Sequence, residues 1–181
     1  MVAYTFEGYW KDVGTIDSLW EANMDLLGKE PALQLGSNDW KILSRHENAP
    51  PQIIGPEGVV ENASITEGCA IYGTVKNSVL GENVQVMEGA TVVDSVIMGD
   101  CIIHKDAVVE YSIIDRDVEI GEGAVVEYAI LDRNVAIGAA ARVGRSRALA
   151  KGIAVIGEGV AVEAGAVVAD GAILPEEGGR R

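Results

Sequence analysis

The chain has 181 residues, which suits one or two domains, and its 14 basic and 28 acidic residues give a net charge of −14. Such an acidic surface repels phosphate backbones and anionic lipid, so nucleic-acid binding and membrane binding are poor hypotheses. There is no apolar run of about 18 residues and no basic-then-apolar leader, so we expect a cytoplasmic protein.

Residues 1–28 read as a strand, a glycine turn and a helix. The stretch 4–16 holds four of the nine aromatic residues, and apolar residues recur at helical spacing over 17–27. Thr15 or Ser18 can cap this helix, and Ser18 with Glu21 has the spacing of a capping box. The piece is too small to build a core alone, so we interpret it as the end of a larger domain.

Residues 29–52 are predicted to be a linker. Gly28 precedes this stretch, which contains Pro31, Gly36 and the pair Pro50-Pro51, and glycine and proline interrupt regular structure. The segment therefore separates two differently built parts of the chain.

From residue 53 the sequence follows another period, in which a large aliphatic residue returns every six, six and five positions. The first residues of the three sides stand in four successive cycles: Leu80, Val86 and Val92; Ile97, Ile103 and Val109; Ile114, Ile120 and Val126; Leu131, Ile137 and Val143. Neither a helix nor a single strand has a 17-residue period, but hexapeptide repeats of this kind are typical of a parallel β-helix. We therefore predict a mainly β fold, a left-handed parallel β-helix over 53–175, with 176–181 as a frayed tail.

Two further columns support the three-sided coil. A compact residue follows four positions after the first residue of a side: Val84, Ala90, Cys101, Ala107, Val118, Ala124, Val135 and Ala141. Residues that tolerate positive φ occupy the predicted corners: Asn83, Asp100, Asp117 and Asn134 on one side, and Gly89, Asp106 and Gly123 on the next, where Ala140 fits poorly. Tyr111 and Tyr128 are expected to stack in adjacent turns.

Two irregularities are visible in the repeat. The first turn is two residues short, because 61–65 aligns with 76–80. Residues 144–152 break the pattern and are predicted to loop out, after which the coil resumes at Ile156, Val162 and Val168. Cys69 and Cys101 fall in one inward column two turns apart, roughly 10 Å along the axis, which is too far for a disulfide.

The opening motif, residues 6–16 (FEGYWKDVGTI) followed by 18–23 (SLWEAN), strongly resembles that of the ADP-glucose pyrophosphorylase family (glucose-1-phosphate adenylyltransferase). Residues 40–42, 50–51, 68–73 and 77–80 match in the family's order. The family makes ADP-glucose and pyrophosphate from ATP and glucose 1-phosphate, for glycogen or starch synthesis. The resemblance implies that 1–28 are the end of a nucleotidyltransferase domain whose glycine-rich phosphate loop is not in this sequence.

The resemblance also implies the candidate site residues. Asp12 matches the family's Mg²⁺ ligand, while Tyr9 and Trp10 would lie near the sugar-phosphate pocket. Lys41 and Arg45 are candidate effector-binding residues, because the family is often regulated by phosphorylated sugars or phosphate at the domain junction. A second basic group, Arg142, Arg145, Arg147 and Lys151, flanks the looped-out stretch; ordinary solvated charge is the alternative for both groups.

The resemblance implies a homo-oligomer, a tetramer in the full-length family, in which the β-helix serves assembly and allosteric coupling. One carboxylate is no Mg²⁺ site without phosphates and a second acidic ligand, so we expect the isolated chain to be catalytically inactive. We also expect it to self-associate through the open ends of the coil and the bare face of the helix.

Two other functions stay open. A non-catalytic regulatory subunit is one, although the intact motif at 10–15 argues against it. The other is a hexapeptide acyltransferase with His104 as base, and the first 50 residues argue against it. Two histidines are too few for the three-histidine zinc site of hexapeptide carbonic anhydrases.

Overall fold

The computed structural model describes residues 2–34 and 48–175. Lys41 and Arg45, most of the predicted linker and the predicted tail at 176–181 lie outside the described residues.

Residues 53–174 form three seven-stranded parallel sheets, which are the three sides of one coil. Sheet A contains β1 (Ile53–Ile54), β4 (Ala70–Ile71), β7 (Gln85–Val86), β10 (Ile102–Ile103), β13 (Glu119–Ile120), β16 (Ala136–Ile137) and β19 (Ala161–Val162). Sheet B contains β2 (Val59–Glu61), β5 (Thr74–Lys76), β8 (Thr91–Val93), β11 (Val108–Glu110), β14 (Val125–Glu127), β17 (Arg142–Gly144) and β20 (Val167–Val168). Sheet C contains β3 (Ser64–Ile65), β6 (Val79–Leu80), β9 (Val96–Ile97), β12 (Ile113–Ile114), β15 (Ala129–Leu131), β18 (Ala154–Ile156) and β21 (Ile173–Leu174).

The predicted interior stacks are confirmed. Leu80 pairs with Ile97, Ile97 with Ile114, and Ile114 with Leu131 across sheet C, and all four side chains are buried. The compact residues predicted beside the corners are buried as well. Because identical columns recur in every turn, each new turn covers the apolar end of the one before it, which is how a short-strand coil builds a continuous core.

The corners adopt the left-handed conformation that the sequence predicted. Asn83, Asp100, Asp117 and Asn134 have φ of 59°, 60°, 59° and 59°. Ala140, the poor fit, nevertheless has φ of 54°, because its column is fixed by the turns on either side. A left-handed alanine costs roughly 1–2 kcal/mol, which the packing of the coil must offset.

Both irregularities of the repeat appear as predicted. Ser64 pairs with Val79, a step of 15 residues, whereas Val79 pairs with Val96, a step of 17. The looped-out stretch lies between β17 and β18, at the corner between sheets B and C. The coil keeps its register beyond it, because Ala129 pairs with Ala154. The two cysteines are buried free thiols.

Three buried serines form a hydrogen-bonded ladder at the start of sheet C. The hydroxyl groups of Ser78, Ser95 and Ser112 each donate to the carbonyl oxygen two residues earlier, at 2.7 Å. Each also accepts a backbone N–H from the next turn, the last being that of Ala129, at 3.2 Å. These side chains replace backbone partners that the tight corner cannot supply.

Helix α1 (Ile16–Met24) precedes the coil and begins at the N-cap Thr15. The capping box joins Thr15 to Ser18, so Thr15 is the cap and the predicted Ser18–Glu21 box is wrong. The helix ends three residues before the predicted Leu27, with Asp25 as its C-cap. The predicted opening strand is also wrong. Residues 2–14 pair with no strand among the described residues and form no sheet.

The outer face of sheet C is apolar and provides the surface on which helix α1 packs. One place before the inward residue of each strand, the outward residue is Ser64 on β3 and aliphatic on the other six strands: Val79, Val96, Ile113, Ile130, Val155 and Ile173. Trp20 of the helix packs against Ile113 and Ile153, with Met24, Ile130 and Val155 at the margin. The sequence suggested that the apolar face of the helix would be bare. The structure instead covers part of that face, although Ile16 and Leu19 are each 39% exposed.

Candidate functional site at the junction of helix and coil

Trp20 anchors helix α1 on the corner of the coil. Its side chain is 4% exposed, and its indole N–H donates to the carbonyl oxygen of Tyr111 at 2.8 Å. Its ring meets Tyr128 edge-on, with centroids 5.1 Å apart and planes at 84°. A buried tryptophan needs such a partner for its N–H, so this bond fixes the helix rotation as well as its position.

The ring of Tyr128 thus contacts Trp20 and not Tyr111. Tyr111 and Tyr128 do occupy equivalent corners of adjacent turns, each with φ of 49°. The expected stacking of the two rings is not what the structure shows, since the ring contact at Tyr128 is made by Trp20 of helix α1. Tyr111 instead faces the guanidinium of Arg147, at 5.7 Å from its ring centroid.

The segment that carries the motif is tied to the end of the same helix. Tyr9 Oη donates to Asp25 Oδ2 at 3.0 Å, and Lys11 Nζ donates to the same oxygen at 2.9 Å. Lys11 also lies 3.4 Å from Glu21. The hydrogen bond from Lys11 holds the pKa of Asp25 below its usual value, and the same bond raises the pKa of Lys11.

Alternation along the extended segment decides which side chains remain free. Tyr9 and Lys11 point toward Asp25, whereas Trp10 is 76% exposed and Asp12 is exposed. Asp12 Oδ1 accepts the N–H of Gly14 at 3.2 Å, which closes a small turn before the helix. The structure therefore presents Trp10 and Asp12 to solvent on a braced segment.

The described residues do not make a Mg²⁺ site by themselves. No group of three or more His, Cys, Asp or Glu side chains in residues 2–34 and 48–175 could hold a metal ion. Asp12 offers one exposed carboxylate, and Mg²⁺ requires a near-octahedral set of oxygen ligands. Any metal site that uses Asp12 must draw its other ligands from elsewhere.

A cleft of about 460 Å³ separates the helix from the coil. Lys11 and Asp25 line one wall, and Asn77, Asp94 and Arg147 line the other. Asn77 Oδ1 accepts the N–H of Gly28 at 2.8 Å, so the chain leaving the helix is held to the coil too. The cleft is bounded by charged groups of both signs.

The histidine considered for acyl transfer lies elsewhere, on the outer side of sheet A. His104 Nε2 is 2.6 Å from Glu119 Oε1 on the next turn, and both side chains are exposed. A shallow cavity of about 360 Å³ lies beside the pair. His104 follows β10 of sheet A, whereas helix α1 packs on sheet C, so the structure does not join His104 to the Asp12 segment.

Comparison with known proteins gives the family of the coil. The model of the GlmU-like C-terminal hexapeptide domain matches residues 51–127 and 103–162, which together span more than half of the chain. The chain belongs to this hexapeptide family. The nucleotidyl transferase model also matches residues 1–29, the stretch that contains Asp12 and helix α1.

Curated relatives of this hexapeptide protein agree with the resemblance of its opening motif. Proteins named glucose-1-phosphate adenylyltransferase from Bacillus thuringiensis (strain Al Hakam) and Bacillus anthracis are 57% identical over 98 residues, and that of Bacillus mycoides (strain KBAB4) is 56% identical. The aligned region is 54% of this chain and 26% of each relative. The hexapeptide protein thus matches only about a quarter of the length of these relatives.

Among solved structures, the acetyltransferase domain of PglB from Neisseria gonorrhoeae FA1090 is similar in part. It is 23% identical, with a TM-score of 0.47 over 68% of this chain and 53% of that one. Within residues 2–34 and 48–175, the hexapeptide protein has no helix of the length and apolarity needed to cross a membrane.

Proposed function

We propose that this chain is the C-terminal region of a glucose-1-phosphate adenylyltransferase, which forms ADP-glucose and pyrophosphate from ATP and glucose 1-phosphate in the cytoplasm. The supporting sequence findings are the 57% identity to enzymes of that name and the nucleotidyl transferase match at 1–29. The observation that carries the proposal is the burial of Trp20 on sheet C. It docks the nucleotidyl transferase segment on the coil.

In this proposal the chain's own residues position the reacting region rather than complete it. Asp25 braces Tyr9 and Lys11, and this leaves Trp10 and Asp12 free to face a substrate. Asp12 would supply one ligand to Mg²⁺ in the longer enzyme, where the metal neutralises phosphate charge. Tyr9 and Trp10 would lie beside the sugar phosphate, and the isolated chain would be inactive.

The β-helix would also serve assembly and regulation. Its end strands leave large aliphatic side chains exposed, among them Ile53 at 58% and Val167 at 74%. Exposed edge strands with apolar side chains favour association. We therefore propose that the coil joins subunits into a homo-oligomer, a tetramer as in the full-length family. Lys41 and Arg45 remain proposed effector-binding residues.

The proposal is tested by joining this chain to the upstream part of a relative. The upstream part of the Bacillus anthracis relative is joined to this chain, and release of pyrophosphate from ATP and glucose 1-phosphate is measured with Mg²⁺. We expect turnover in the joined protein, and loss of at least about a hundredfold in Asp12→Asn, since removing transition-state charge stabilisation costs that much. Asp17→Asn, the same change at an exposed carboxylate in the first turn of α1, is the matched control and should stay active.

The alternatives give different outcomes in the same assay. A folded but inactive joined protein, beside an active full-length relative, would contradict the proposal. If the 181-residue chain then changed the activity of that relative on mixing, a non-catalytic regulatory subunit would be the better description. The acyltransferase alternative requires acyl-CoA turnover by this chain that is lost in His104→Ala, for which the His104–Glu119 pair offers a base.

A further inference from the structure

The loop between β17 and β18 is an ordered excursion that faces helix α1. Paired residues on opposite sides of it are 25 apart, as for Ala129 and Ala154, against 17 in the preceding turns. Ser146 O accepts the N–H groups of Leu149 and Ala150 at 2.8 and 3.0 Å. Lys151 N donates to Asp170 Oδ2 at 2.6 Å, so both halves of the loop are held.

Arg147 of this loop lies against the residues that seat the helix. Its guanidinium carbon is 4.7 Å from the centroid of the Trp20 ring and 5.7 Å from that of Tyr111. A guanidinium over an aromatic face within about 6 Å is attracted by the ring, most strongly by tryptophan. Arg147 therefore contacts the helix and the coil corner at once.

The loop adds a second contact to the same seat. Ile153, where the loop rejoins the coil, is 6% exposed and packs against Trp20. The excursion thus encloses the indole with an apolar side chain on one flank and a cation on another. The coil keeps its register across this turn, so it does not need the eight additional residues. What distinguishes this turn from its neighbours is the contact that the loop makes with α1.

A continuous set of contacts runs from this loop to the motif segment. Arg147 contacts Trp20 on the helix, and Asp25 at the end of the helix holds Tyr9 and Lys11. Lys11 is the residue before Asp12. We infer that Arg147 is a positioning residue, which locks helix α1 on the β-helix and thereby fixes the Tyr9–Asp12 segment. We call the contacts of Arg147 with Trp20 and Tyr111 the latch. The latch is inferred from these contacts alone, while its importance for adenylyl transfer rests on the proposed function.

The chain offers a matched control in Arg145, an exposed arginine two residues earlier on the same loop. Arg147→Met removes the guanidinium and keeps much of the aliphatic length, and Arg145→Met makes the same change in charge. Both are made in the 181-residue chain with Trp10→Phe and Trp40→Phe, so that Trp20 is the only tryptophan. Far-UV circular dichroism verifies that the coil is folded.

Two readouts follow the latch and the segment separately. Acrylamide quenching of Trp20 reports the seating of the helix, and acylation of Lys11 by an amine reagent, followed by peptide mass spectrometry, reports the segment. For Arg147→Met we expect the population with an undocked helix to rise about tenfold, from the loss of two cation–π contacts. Quenching and Lys11 labelling should both increase, while Lys76 and Lys105 on the coil are labelled as before.

The outcomes decide the inference. Equal quenching and labelling in Arg147→Met and Arg145→Met would overturn it. Increased quenching with unchanged Lys11 labelling would overturn the positioning role, since the helix would then move without the segment. Should Arg147→Met lose the coil signal, Arg147→Lys decides: it keeps the charge without the planar fork, and a change in the same direction but smaller supports the latch. None of these measurements depends on turnover.

Discussion

Removal of one hydroxyl from the serine ladder should destabilise the coil measurably. In Ser112→Ala, the N–H of Ala129 loses the acceptor that it has at 3.2 Å. Glu110 O loses one donor but keeps the N–H of Tyr128 at 3.0 Å, so the cost falls mainly on Ala129. Ser112 is 0% exposed, and water cannot replace the lost partner without opening the corner.

The magnitude follows from the state of that donor. Leaving a buried N–H without an acceptor costs about 1–3 kcal/mol, more than the net value of a typical hydrogen bond. We therefore expect Ser112→Ala to lower the free energy of unfolding by about 2 kcal/mol. For a protein of this size such a change corresponds to about 4–8 °C in the melting temperature.

Urea unfolding followed by circular dichroism measures this difference, with Ser64→Ala as the control. Ser64 is exposed on β3, where the same substitution removes a hydroxyl from water. Surface changes of this kind fall within about 0.5 kcal/mol of zero. If Ser112→Ala and Ser64→Ala unfolded with the same free energy, the ladder would not be the stabilising network described here.

Two further predictions concern titratable groups. Burial raises the pKa of the Cys101 thiol to about 12. A disulfide reagent at pH 8 should therefore leave this thiol unmodified in the folded chain and modify it in urea. Rapid labelling of the folded chain would contradict the buried position of Cys101. A hydrogen bond from Arg116, with N–O distance 2.6 Å, lowers the pKa of Glu82. This pairing therefore stabilises the fold fully above the unfolded pKa of glutamate, about 4.3, and the stabilisation is lost as pH falls through the lower folded pKa. Arg116 also pairs with Asp100, so Glu82→Gln is the change that isolates this contact. Because Arg116 and Glu82 are both more than a third exposed, Glu82→Gln should cost less than about 1 kcal/mol at pH 7 and still less in high salt; an unchanged cost at pH 3 would refute the pairing.

Periodicity is the reason why most of the coil could be predicted. Each inward residue recurs in every turn, so Leu80, Ile97, Ile114 and Leu131 report one column four times. The corner conformations follow in the same way, because Asn, Asp and Gly recur where φ must be positive. Even Ala140, which alone reads as a poor corner, takes the conformation of its column.

The site was less accessible to such reasoning. The resemblance identified Asp12, Tyr9 and Trp10, but neither Asp25 nor Arg147 belongs to a repeated pattern, and both roles depend on contacts distant in sequence. One signal was present and overlooked: the outward positions of sheet C, such as Val96, Ile113 and Ile130, are aliphatic, which indicates a side of the coil covered by another element. Read that way, the sequence predicts a partner for that face but not which one.

The sequence by itself determined the three-sided coil, its short first turn and its looped-out stretch, because these depend on steps of 15 to 25 residues that repeat or interrupt a period. Only the tertiary structure decided that helix α1 seats on sheet C. It also decided that Trp20 bonds Tyr111 across 91 residues and that Arg147 closes over the indole. Among the described residues these contacts do not recur from turn to turn, so no sequence period predicts them. They depend on shape and charge that exist only when the coil is folded.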